Sequence, residues 1–226
     1  NLPERRFLSS LIKKKNAGPA DLSLAAVQLA NIHADSGMSV REGETGKAER
    51  FQALCDDMLY QMKRYFDPSI TQPIIDMIRH PLDKFIHSKS NVFGKRLRKG
   101  RVVQGHGALL PEHIHIQGET VRFLSPHEVY KKYSVLDAAH DVATLMVDLI
   151  VANEKELADH FLQKYKEASK DKDLESILPA YQTYCALKHG VLTCERKVAL
   201  QDESLGPVAL EYFNLATRFS RTISKD

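Results

Sequence analysis

The chain has 226 residues, 43% hydrophobic and 27% charged, the balance of a soluble globular protein. That length allows one large domain or two small ones with a core of normal size, and the composition excludes wholesale disorder. A formal net charge of +3 is too small to argue for nucleic acid, and no apolar run reaches the length of a membrane span.

In chain order, most of the sequence reads as helix. Residues 5 to 14 form a short amphipathic piece with Phe7, Leu8, Leu11 and Ile12 on one side. A second helix follows, with Asp21 as its expected N-cap and Leu22, Ala25, Ala26, Leu29 and Ile32 at helical spacing. Residues 37 to 46 are a polar, glycine-rich loop, and 47 to 66 a third helix whose apolar face runs from Phe51 to Met62. A fourth helical region spans 70 to 99, in which Pro73 fits the first turn and Pro81 is expected to break or kink the helix. A strand then starts at 101, and the alternation of "HIHI" and "TVRFLS" predicts a β-hairpin over 113 to 125 with Gly118 in its turn. Helix resumes at 136, where Val142, Leu145, Met146, Leu149 and Ile150 keep the helical phase. Further helices are expected at 154 to 168, at 174 to 199 with an interruption at Gly190, and at 207 to 222.

The expected organisation is one domain over 1–226. It has a helical part (1–100), a loop-and-hairpin region (101–125) and C-terminal helices (136–226), so the fold class is mainly α with a small β-hairpin, α+β. Cys55, Cys185 and Cys194 are scattered without metal spacing, and the N-terminal NLPERRFLSS lacks a signal-peptide apolar region. Both features point to reduced thiols in a cytoplasmic protein.

Several motifs invite chemistry. "GETGKA" (43–48) fails as a phosphate loop: Arg41 stands where the first glycine belongs, Ala48 replaces the hydroxyl, and no strand precedes it. "GKRLRKGR" (94–101) places Lys95, Arg96, Arg98 and Lys99 at a helix C-terminus, where solvated cations offset the dipole. It has no aromatic interleaving for stacking on bases. His106, His113, His115 and His127 fall near the hairpin, with His113 and His115 expected on one strand face, but no cysteine pair or acidic partner lies at a metal spacing. Asp137, Asp141 and Asp148 would lie along one helix face; the spacing suits a catalytic or metal-binding row and equally a structural one, in which a buried Asp accepts backbone N–H groups and holds a loop in shape.

The order of these pieces carries a resemblance: helices, then a strand running into "GHG", a loop, a hairpin, and "LDAAHDVATLMVDL". It resembles the C-terminal lobe of the aminoglycoside phosphotransferase family of kinase-like proteins, with the closest look to bacterial small-molecule kinases, and it covers nearly the whole chain. The resemblance implies a protein-kinase-like C-terminal lobe without the N-terminal β lobe and its phosphate-binding Lys. It implies a loop in which an Asp after His-Gly is the catalytic base, a later Asn or His helps to hold magnesium, and a second Asp on the hairpin strand binds magnesium and bridges the nucleotide phosphates. Here His106 and Gly107 match that loop, Ala108 falls on the base, His113 on the Asn/His position and Leu124 on the second Asp. Asp137 and Asp141 match an Asp-x-x-x-Asp that supports the loop in the family. Between 119 and 129 the only acids are Glu119 and Glu128.

Neither Ala nor Leu accepts a proton or binds a metal. No catalytic residue, metal site or cofactor is therefore expected, and the expected function is an inactive kinase-like domain with a binding or regulatory role toward a protein or small molecule. No nucleic acid or membrane partner is expected, and a homo-oligomer is compatible with the sequence. Two other functions fit less of it. One is an active phosphotransferase using ATP and magnesium through His106, His113 or Glu112. The other is a plain helical interaction module.

Overall fold

The fold is that of a computed structural model, which describes residues 2–37, 47–65, 71–124 and 135–223. It is mostly helical, with nine helices among the described residues and two small antiparallel sheets of two strands each. The residues group into two compact units, one from Asn1–Gly43 with Arg96–Leu174, the other from Glu44–Lys95 with Glu175–Asp226. No helix among the described residues is long and apolar enough to cross a membrane.

The first unit contains α1 (Leu8–Lys13), α2 (Pro19–Asp35), α6 (Ala139–Val151) and α7 (Lys155–Ser169). It also holds β1 (Val102–Gln104), β2 (Ile114–Gln117), β3 (Thr120–Phe123) and β4 (Val135–Asp137). Helix α7 packs against both α2 and α6, and α1 packs against β2. Helix α6 is buried almost all round, from Ala139 to Val147 and at Leu149, as expected of a helix at the centre of a core. Each such Leu removed from water contributes about 1.5–3 kcal/mol. Asp21 does not cap α2: Gly18 is the N-cap, and the Asp21 carboxylate sits three residues inside, accepting the Gly18 N–H at 2.9 Å.

Strands β2 and β3 form the expected hairpin, with Gln117 opposite Thr120 across a two-residue turn at Gly118. The other sheet differs from the sequence expectation. β1 pairs with β4, Val102 facing Asp137 and Gln104 facing Val135, so helix starts at 139 and not at 136. Asp137 accordingly lies on a strand, off the face shared by Asp141 and Asp148. Three residues with two apolar neighbours leave too short a pattern to announce a strand in sequence.

The second unit contains α3 (Ala48–Met62), α4 (Gln72–Ser88), α8 (Leu178–Leu200) and α9 (Leu205–Ile223), with α9 packed against α8 and α4; helix α5 (Ser90–Arg98) begins in it. Pro81 neither ends nor interrupts α4, and the break comes at Lys89. Proline has no N–H to give the Met77 carbonyl four residues back; the Ser220 hydroxyl lies 3.2 Å from that oxygen and shares its one proton between it and the Thr217 carbonyl at 2.9 Å. Gly190 does not interrupt α8 either. A Cβ there would stand 2.5 Å from Phe213 Cε1, so the glycine admits the α9 ring against the α8 backbone. Residues 38–46, including most of "GETGKA", and His127 with Glu128 lie outside the described residues.

Candidate functional site

The loop between β1 and β2 is tied down by one carboxylate. Asp141, in the first turn of α6, is 2% exposed and accepts the backbone N–H of His106 at 2.6 Å (Oδ2) and that of Gly107 at 2.9 Å (Oδ1). Gly107 has φ 78°, a left-handed conformation suited to glycine, which lets the two successive N–H groups converge. Leu109, fully buried, anchors the loop from its apolar side. His33, at the end of α2, reaches the same carboxylate through Nε2 at 3.2 Å, and Tyr165 of α7 meets His33 Nδ1 at 2.8 Å. A carboxylate only accepts, so His33 Nε2 carries a proton. Burial pushes the Tyr165 phenol up, which keeps it a donor to Nδ1. Burial also works to raise Asp141, but its interactions with His140 and His33 outweigh it and hold the carboxyl well below the usual range. The loop therefore rests on an anion at neutral pH.

His106 is turned inward. Its Nε2 lies 2.9 Å from the Leu124 carbonyl, which only accepts, so Nε2 carries the proton; the Ala108 N–H points at Nδ1 at 3.4 Å. Burial lowers the His106 pKa, more than its bond to the Leu124 carbonyl raises it, and favours this neutral form. His113 Nδ1 donates to the Ala108 carbonyl at 2.8 Å, the His113 carbonyl accepts the Leu124 N–H at 2.8 Å, and the two imidazoles lie 5.5 Å apart. The structure thus brings His106, Gly107, Ala108, His113, Leu124 and Asp141 together. It separates His115, which is buried on β2 with its ring edge against Phe7 at 5.2 Å, while His113 belongs to the short helical turn before the strand.

Asp137 supports the same region from the other side of β1. It accepts Arg96 in bidentate fashion, Nε at 2.6 Å and Nη2 at 2.8 Å, and the Ala139 N–H at 2.8 Å. Arg96 also bonds Asp171, through Nη1 at 3.1 Å and Nη2 at 2.8 Å. Its side chain has no exposed surface, which overturns the expectation that this basic run is wholly a solvated helix end. Burial disfavours the charge, yet Asp137 and Asp171 hold the guanidinium raised above its ordinary value.

At the two positions where the resemblance implies magnesium ligands, the side chains do not fit that ion. Magnesium takes carboxylate oxygens, and the side chains at Ala108 and Leu124 have none. His113 Nδ1 is bound to the loop's own backbone. Sequence reasoning missed His33, Tyr165, Arg96 and Asp171. A signal existed for two of them: His33 continues the Ala26–Leu29–Ala30 stripe, and Arg96 shares the buried side of Phe93 and Leu97.

Among known proteins, the chain is 28% identical over 155 residues, 69% of its length, to an uncharacterized protein of Mycobacterium bovis and to uncharacterized proteins of two strains of Mycobacterium tuberculosis. It spans 30% of the length of these relatives. No family model and no solved structure matches the chain.

Proposed function

We propose that the chain is a kinase-like lobe, similar to the C-terminal lobe of the aminoglycoside phosphotransferase family, that binds or regulates without transferring phosphoryl groups. The observation that carries this is the pairing of a fully braced loop with side chains that have no chemistry. Asp141 holds the His106 and Gly107 amides, and the next residue, where the family has its base, is Ala108. Phosphoryl transfer relies on positioned charge around the metal and the reacting oxygens. Losing the base and the main metal ligand would remove several kcal/mol of transition-state stabilisation each.

The active alternative, with His106 as base, is disfavoured by the geometry of that histidine. Both of its ring nitrogens are engaged inside the loop, by the Leu124 carbonyl and the Ala108 N–H. Reaction calorimetry with ATP and magnesium tests the proposal. The expected trace shows no heat of turnover, and sustained magnesium-dependent hydrolysis or transfer would overturn it.

A further inference from the structure

The β2–β3 hairpin carries a polar face that the braced loop does not use. His115 stands opposite Arg122 and Gln117 opposite Thr120, so the four side chains share one face of the antiparallel pair. Together they line a cavity of about 300 Å³. His115 is its buried member, 1% exposed, whereas Gln117, Thr120 and Arg122 are exposed, so the cavity has a buried end and an open rim.

Two of these groups are left over. His115 Nε2 is buried and has no hydrogen-bond partner. Among the described residues Arg122 has no ion-pair partner. Buried polar atoms in folded proteins are nearly always satisfied by protein, ordered water or ligand. The face also has one electrostatic sense. A guanidinium, an imidazole, a hydroxyl and an amide can all donate, and among the described residues no carboxylate lines the cavity. Donors sharing one face with a guanidinium that pairs with no described residue match an oxyanion, which accepts from all of them.

We propose that this hairpin face is a binding site for a small oxyanion, with the Arg122 guanidinium as its charge and His115 Nε2 as its buried donor. It stands whether or not the chain turns over ATP. The test is an NMR titration of the protein with inorganic phosphate at constant ionic strength, with acetate in a parallel arm. The expected result is saturable shifts confined to the amides of 115–122 and to the His115 imidazole. Saturation by phosphate alone would assign the class as phosphate, and by acetate as well would assign oxyanions generally. Arg122→Gln, an exposed position, should weaken binding by about tenfold or more, the loss expected for a hydrogen bond to a charged group. His115→Phe keeps the aromatic edge toward Phe7 and should also weaken it; if that variant fails to fold, Arg122→Gln decides. Absence of saturable shifts, or saturation unchanged in Arg122→Gln, would overturn the assignment.

Discussion

Asp141 does at residue scale what a catalytic carboxylate would not: it spends its lone pairs on two backbone N–H groups and an imidazole. Asp141→Ala leaves these donors buried and unpaired, and should cost about 3–5 kcal/mol in urea unfolding; a loss under about 1 kcal/mol would show that the loop is held by other means. Arg96→Met strands the buried Asp137 and Asp171 in the same way, with a cost of the same order. The pH dependence has a definite sign. His106 has a lowered folded-state pKa, so below its unfolded value of about 6.5 the unfolded chain binds more protons, and stability is lost as the pH falls through the folded value. Asp141, also lowered, contributes stability present above about pH 4 and lost as the pH falls through its depressed folded value. The urea midpoint should therefore drop in two stages on acidification, the upper stage absent in His106→Gln. A midpoint flat from neutrality to pH 3 would contradict both assignments.

At the scale of elements, the pattern of apolar residues made most helices legible, because a face such as Leu22–Ala25–Ala26–Leu29 has to be buried to fold at all. The helix breaks that sequence punctuation suggested at single residues did not occur where packing overrode them. Pro81 stays inside α4, where a hydroxyl from α9 reaches the carbonyl it leaves bare, and Gly190 stays inside α8, where Phe213 fills its space. Gly190→Ala sets these two effects against each other. The helix gains about 1 kcal/mol from the lost glycine, while overpacking on Phe213 costs about 1–3 kcal/mol. A lowered melting temperature is expected, and Phe213→Leu in the same chain should restore part of it. The hairpin was legible from its alternation and Gly118; β4 was not, since its pairing with β1 joins residues far apart in sequence. The site was legible at His106, Gly107 and Asp141 through their order along the chain. His33, Tyr165, Arg96 and Asp171 come from separate helices and turns, and only folding places them together.

At the scale of the whole molecule, the buried ionic groups serve architecture. Asp137, Asp141, Asp171 and Arg96 are all consumed in holding β1, the loop and the start of α6, and Ala108 and Leu124 contribute no charge to the space beside them. The loop is braced by buried charges, while Ala108 and Leu124 beside it can neither accept a proton nor hold a metal, which is what the proposed inactive reading requires. The most direct test is phosphate release from ATP and magnesium, measured for the chain beside its His106→Ala and Asp141→Asn variants. All three should match the protein-free background. Magnesium-dependent release by the unaltered chain that disappears in His106→Ala would contradict the account.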